Sequence, residues 1–109
     1  MEIQNMKSPN GNDVPNQFVI TSTNSNDSIF DYPNEIKVFQ SYETNISLID
    51  TNLKSKTQNI KIDHLWNYSR TTTKYLCQFL RYYTGKAING KKDIQDKIDS
   101  GEYTLTNLN

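Results

Sequence analysis

The sequence predicts an α+β domain: an antiparallel sheet of about four strands packed by one main helix, about 70–83, with a second short helix at about 91–100. Three observations carry this. Leu76, Phe79, Leu80 and Tyr83 fall at i, i+3, i+4 and i+7, which is one face of a helix. Residues 35–41, 44–50 and 58–63 alternate apolar and polar side chains, the period of a half-buried strand. Only Tyr42-Glu43 separates the first two of these runs, as in a hairpin. At 109 residues the chain is expected to be one domain. A chain of that length buries roughly 60–70% of its extended surface, enough for a core without metal or disulfide staples.

Met1 to Pro15 has Pro9, Gly11 and Pro15 among Asn, Ser and Asp. It reads as a flexible leader, with the domain at 16–109. Gln17 to Thr23 is rich in β-branched and aromatic residues and reads as a strand. Asn24 to Asn34 reads as a loop, with Phe30 or Tyr32 folding back as an anchor. In 35–41, Ile36 and Val38 share one side, opposite Lys37 and Phe39. In 44–50, Ile46 and Leu48 oppose Asn45, Ser47 and Ile49. Thr51 to Thr57 is a polar turn, and Gln58 to Asp63 is the fourth strand, with Ile60 and Ile62 in phase.

Ser69 is the natural N-cap of the main helix, its hydroxyl accepting from an orphan N–H of the first turn. Thr84-Gly85 is its stop. Its apolar stripe is expected to meet Val19, Ile36, Val38, Ile46, Leu48, Ile60 and Ile62, with Trp66 plugging the strand–helix junction. In the second helix Ile94 and Ile98 are four apart, Asn89 is the candidate cap and Gly101 follows its end. Tyr103 and Leu105 alternate in the tail, which reads as a short edge strand.

The formal net charge is zero, but the charges are segregated. Residues 1–53 hold two basic groups against seven acidic ones. Residues 54–92 hold nine basic groups and only Asp63 as an acid, and 93–109 hold Lys97 against four acids. No acid occurs from His64 to Lys92. Cys77 is the only cysteine, so no internal disulfide forms and nothing points to a secreted scaffold. No apolar run approaches the roughly 18 residues of a membrane span, and the N-terminus lacks the apolar core of a signal peptide. A protein of the cytoplasm with no membrane partner is the expectation.

No catalytic signature is present. Cys77 and His64 are the only residues available for a thiol–imidazole pair. Cys77 sits beside the apolar stripe, where a buried inert thiol is the plainer reading. One His and one Cys do not close a zinc site, and Asp93, Asp96 and Asp99 lack the pattern of a calcium loop. The four glycines are too scattered for a phosphate loop. No cofactor, no metal and no enzymatic activity are therefore expected.

What remains is a surface. Arg70, Lys74 and Arg81 lie at i, i+4 and i+11, on one side of the helix and away from the stripe. Tyr75 and Tyr82 flank that side, and Lys86, Lys91 and Lys92 extend it. Basic groups interleaved with tyrosines suit phosphate contact and stacking on unpaired DNA or RNA bases. They equally suit a protein partner, because Tyr and Arg anchor interfaces. Ser69-Arg70-Thr71-Thr72 reads as a cap before it reads as a phosphate site.

Several blocks carry a resemblance: Asn16-Gln17-Phe18, Phe39-Gln40-Ser41-Tyr42 with Ile46, Trp66-Asn67-Tyr68-Ser69-Arg70-Thr71-Thr72 with Lys74-Tyr75, Phe79-Leu80, and Ile98 with Ser100-Gly101-Glu102-Tyr103. On these the chain resembles a family of small, uncharacterised proteins encoded by bacteriophages and prophages of low-GC bacteria, over about residues 16–105. The Tyr-Ser-x-Thr-Thr block, Tyr68 to Thr72, is the specific one. The loop 24–34 is longer than in the pattern, and Arg81-Tyr82-Tyr83 replaces a more acidic helix end. The resemblance implies phage origin and action inside the host cell. It brings no activity and no functional residues. The expectation is a non-enzymatic accessory protein that binds and inhibits a host or phage protein. The alternative is a nucleic-acid-binding module using the basic, tyrosine-bearing helix face.

Overall fold

The computed structural model describes residues 1–24 and 34–109. The elements run β1 (Glu2–Lys7), β2 (Asp13–Asn24), β3 (Asn34–Ser41), β4 (Thr44–Asn52), β5 (Gln58–Asp63), α1 (Arg70–Thr84), α2 (Lys91–Asp99) and β6 (Tyr103–Thr106). The strands form one sheet in chain order. Neighbours are antiparallel from β1 to β5, and β6 pairs with β5 in parallel. A parallel pair needs a crossover, and here α1 and α2 supply it. Both helices contribute to one core, so they cover the same sheet face. The fold is α+β as expected, with six strands rather than about four. The loop expected at 24–34, with Phe30 or Tyr32 as its expected anchor, lies largely outside the described residues.

The additional strand at the start comes from residues expected to form a loose leader. β1 is an edge strand whose one buried side chain is Met6. A single apolar anchor is little signal in a sequence, but the ladder to β2 supplies the rest. Ser8–Asn12 makes the turn, closed by Ser8 N–H to Asn12 O at 2.8 Å, with Gly11 at φ 83. Pro15 lacks an N–H and cannot serve a regular ladder. It falls where the register breaks between Asn5 and Lys7, beside Asn16 at φ 65.

The helix-facing side of β3 and β4 is the opposite of the one expected. Phe39 and Ile49 are fully buried, whereas Ile36, Val38 and Leu48 are only half-buried and lie on the other face. Phe39 stacks on Phe79 of α1, with centroids 5.7 Å apart, and Phe79 touches Tyr83 at 5.2 Å. The larger ring decides which face meets the helix, because it buries more apolar area. Ile46 is nonetheless buried. The register shifts between Phe39 and Gln40, so Ile46 is the extra residue of a bulge. Val19, Ile60 and Ile62 are buried as expected.

Ser69 caps α1: its Oγ accepts the Thr72 N–H at 3.1 Å. Gly85 closes it at φ 71, its N–H bonded to Arg81 O at 3.0 Å. The cap of α2 is Gly90 rather than Asn89 and makes no side-chain bond. Trp66 is buried at the β5–α1 junction. Beside it the buried Asp63 carboxylate accepts the N–H groups of Leu65 at 2.9 Å and Leu108 at 2.7 Å, which offsets its desolvation. Among the described residues no helix is long and apolar enough to cross a membrane.

Candidate functional site

Gly85 turns the chain so that residues 86–90 run back beside α1. Ile88 is the apolar group that fastens this segment, and it is fully buried. Its carbonyl accepts Arg81 Nη1 at 2.6 Å. Between this segment, the start of α2 and the outer side of α1 lies a cleft of about 410 Å³, lined by Arg70, Thr73, Lys74, Cys77, Arg81, Asn89, Gly90 and Lys91. The five α1 residues recur at helical spacing, so one helix side supplies them all. Thr73 is tied down by its hydroxyl, which donates to Ser69 O at 2.9 Å.

Four cations therefore share one cleft. The ion pairs among the described residues are Lys7–Asp13, Lys37–Glu35, Lys92–Asp96 and Lys97–Glu102. None involves Arg70, Lys74, Arg81 or Lys91. Asp93, in the first turn of α2, turns its carboxylate to the Asn89 N–H at 2.8 Å. The charge segregation of the sequence thus survives folding as a concave patch, and Glu35, Glu43 and Asp50 do not pair with it.

Cys77 forms part of the cleft lining and is otherwise buried. Burial pushes its thiol up, and the nearby Arg81 only partly opposes this. The uncharged thiol is a poor nucleophile. His64 follows β5 and is exposed. Among the described residues no three His, Cys, Asp or Glu side chains gather as a metal set.

The tyrosines do not sit where the spacing places them. Tyr75 is only 7% exposed, with Lys74 Nζ 5.3 Å from its ring centroid. Tyr82 is 79% exposed, but it lines a different cleft. That second hollow, about 470 Å³, lies between β1 and the C-terminal half of α1, over Met6, Val19, Phe79 and Tyr83. Gln78 closes one side by donating to Lys7 O at 2.8 Å. Lys86 is exposed beyond the helix end and lines neither cleft. Of the expected binding residues, Arg70, Lys74 and Arg81 come together, and Tyr75, Tyr82 and Lys86 do not join them. Thr73, Asn89 and Gly90 were not singled out by spacing; the signal for them was the lone apolar Ile88 after the Gly85 stop.

Residues 1–96 match a family of unknown function (DUF8033), and the chain belongs to that family. The matched span takes in every residue of the cationic cleft. No curated protein and no solved structure matches the chain.

Proposed function

We propose that this member of the family is a small, non-enzymatic phage accessory protein that acts in the host cytoplasm. It works by seating an acidic segment of a host or phage protein in the cleft beside α1, and so occludes that protein. The observation behind this reading is that Arg70, Lys74, Arg81 and Lys91 line one cleft without an acidic partner among the described residues. A concave cationic surface focuses its field on anionic partners and speeds their encounter. A protein partner is favoured over nucleic acid by the aromatic groups. Stacking platforms need exposed rings in the groove. Here Tyr75 is buried under Lys74, and Tyr82 faces the other cleft.

The test compares a fluorescent all-glutamate peptide with oligo(dT) at increasing salt. The peptide is expected to bind, and a variant with Arg70→Glu, Lys74→Glu and Lys91→Glu is expected to lose it while melting unchanged. Arg81 is left intact because it also holds Ile88. Tighter binding of the oligonucleotide, with a log–log salt slope near the roughly −3 of four single-strand phosphate contacts, makes the protein a nucleic-acid module instead. Binding of neither probe reduces the cleft to a solvated surface.

A further inference from the structure

Two Asn-Gly pairs occur in the chain, Asn10-Gly11 and Asn89-Gly90. This dipeptide carries a reaction of its own. The glycine nitrogen attacks the asparagine side-chain carbonyl, because no Cβ on the glycine crowds the approach. Asn10 and Asn89 are both exposed, but the structure treats the two glycine nitrogens differently. The Gly11 N–H donates to Ser8 O at 2.9 Å inside the β1–β2 turn, so that nitrogen is engaged. The Gly90 N–H makes no hydrogen bond among the described residues. Gly90 is the N-cap of α2, with extended backbone at φ 176 and no side-chain bond. Its carbonyl accepts the Ile94 N–H at a long 3.4 Å. This helix end is weakly held, and weakly held ends open locally. Position adds an electrostatic difference. Asn89 and Gly90 line the cleft with Arg70, Lys74, Arg81 and Lys91. The attack needs a deprotonated Gly90 nitrogen and builds an oxyanion at Asn89 Cγ. Four cations favour both, against the one carboxylate of Asp93 at the Asn89 N–H. Beside the other turn the cation, Lys7, is already paired with Asp13.

We propose that Asn89-Gly90 is a self-modification site: the folded chain deamidates there in preference to Asn10-Gly11, and the carboxylate formed closes the cationic cleft to acidic partners. In the first step the Gly90 N–H proton goes to solvent base and the nitrogen bonds to Asn89 Cγ. The Cγ–Nδ2 bond breaks, and the amide leaves as ammonia with the proton that Gly90 gave up. A five-membered imide remains. In the second step water adds to either ring carbonyl, one ring C–N bond breaks and the nitrogen regains its proton. The products are aspartate or isoaspartate at 89, and the net change is one water consumed and one ammonia released. No oxidant, metal or second protein takes part. The new carboxylate lies in the lining beside Arg70, Lys74, Arg81 and Lys91, where it offsets one of the four cations and competes with an incoming acidic segment. In the isoaspartate product the main chain is also one atom longer, just ahead of α2. That displaces the Asn89 N–H which the Asp93 carboxylate accepts. The closing of the cleft rests on the occlusion reading above, and the modification itself does not.

Ageing the full chain in mildly alkaline buffer, followed by peptide mapping on a mass spectrometer, tests the modification. Conversion at residue 89 with residue 10 largely intact is expected in the folded chain. In urea the two pairs are expected to convert at similar rates, because the fold alone separates them. Equal or faster conversion at residue 10 in the folded chain overturns the proposal, and so does a residue 89 that stays amidated while it converts in urea. Gly90→Ala is expected to nearly abolish conversion at 89 with unchanged circular dichroism, since its backbone is extended and a Cβ there meets open space. Undiminished conversion in that variant overturns the proposed attack. Fresh and aged wild type are then titrated with the all-glutamate peptide. Severalfold weaker binding after ageing supports the closing of the cleft, and equal binding overturns it. Failure of the fresh protein to bind refutes occlusion, and with it the closing, while the mapping still decides the modification.

Discussion

Ser41 Oγ lies 2.8 Å from Thr72 Oγ1, and both side chains are fully buried. Thr72 Oγ1 also accepts from Ser69 Oγ at 3.0 Å, and Ser69 Oγ in turn accepts the Thr72 N–H. A line of hydroxyls therefore joins the end of β3 to the first turn of α1. The residue that starts the helix also helps fasten it to the sheet. Ser69→Ala is expected to cost about 1–2 kcal/mol, the upper part of the range for a lost cap, because Thr72 loses a partner as well. Urea unfolding measures it. Ser41→Ala leaves the cap intact and should cost less.

Leu80 is fully buried under the sheet. Leu80→Ala should destabilise by roughly 2–5 kcal/mol, the transfer loss plus the cavity. An unchanged denaturation midpoint would mean that α1 does not pack as described.

The facing of β4 is tested by neighbours. Ile49→Thr places a hydroxyl in the core and should cost about 2 kcal/mol or more. Leu48→Thr lies on the open face and should cost about 1 kcal/mol or less. Urea unfolding of both variants measures the difference. Equal losses would refute the assignment of faces.

Gly85 stands at φ 71 with open space where a Cβ would go, so the objection to a side chain is conformational rather than steric crowding. Gly85→Ala should cost about 1 kcal/mol. It should also loosen the segment through Ile88 that walls the cleft. Faster amide exchange at residues 86–89 is the readout.

Burial pushes the Tyr103 hydroxyl up to about 12, and Glu102 adds to the shift. The hydroxyl has no hydrogen bond of good geometry; nearby Thr84 favours the ionised form slightly, but donates its own proton to Leu80 O at 2.6 Å. A raised value means that the folded state holds the proton more tightly than the unfolded one. The contribution is complete below the unfolded value near 10 and is lost as pH rises towards about 12. Melting temperature should therefore fall across that alkaline window. Tyr103→Phe should reduce the fall, and at neutral pH it should cost nothing, because the buried hydroxyl is unpartnered.

The elements with strong local signals were legible in the sequence. Ser69 and Gly85 bracket α1, the four-residue period fixes its stripe, and Tyr42-Glu43 marks the β3–β4 turn. The facing of β3 and β4 was not, because both strands carry apolar groups on both sides. Alternation is then ambiguous, and the Phe39–Phe79 stack decides it. β1 was hidden because an edge strand needs only Met6 as its anchor. In the cleft, helical spacing was enough to group Arg70, Lys74 and Arg81. It could not show that Tyr75 turns inward beneath Lys74, which depends on packing.

The parallel pairing of β5 with β6 has a kinetic consequence. Every other pair of neighbouring strands is joined by a much shorter connection, so the meander can zip up through short closures. β6 reaches β5 only after the whole of α1 and α2 is in place, and long closures are entropically slower. During that interval β5 is an open edge, with Ile60 and Ile62 beside unpaired peptide groups. Pulse-labelling exchange should find the amides of the β5–β6 ladder protected last. Refolding at high concentration should lose material to edge-to-edge pairing at β5 before that protection appears.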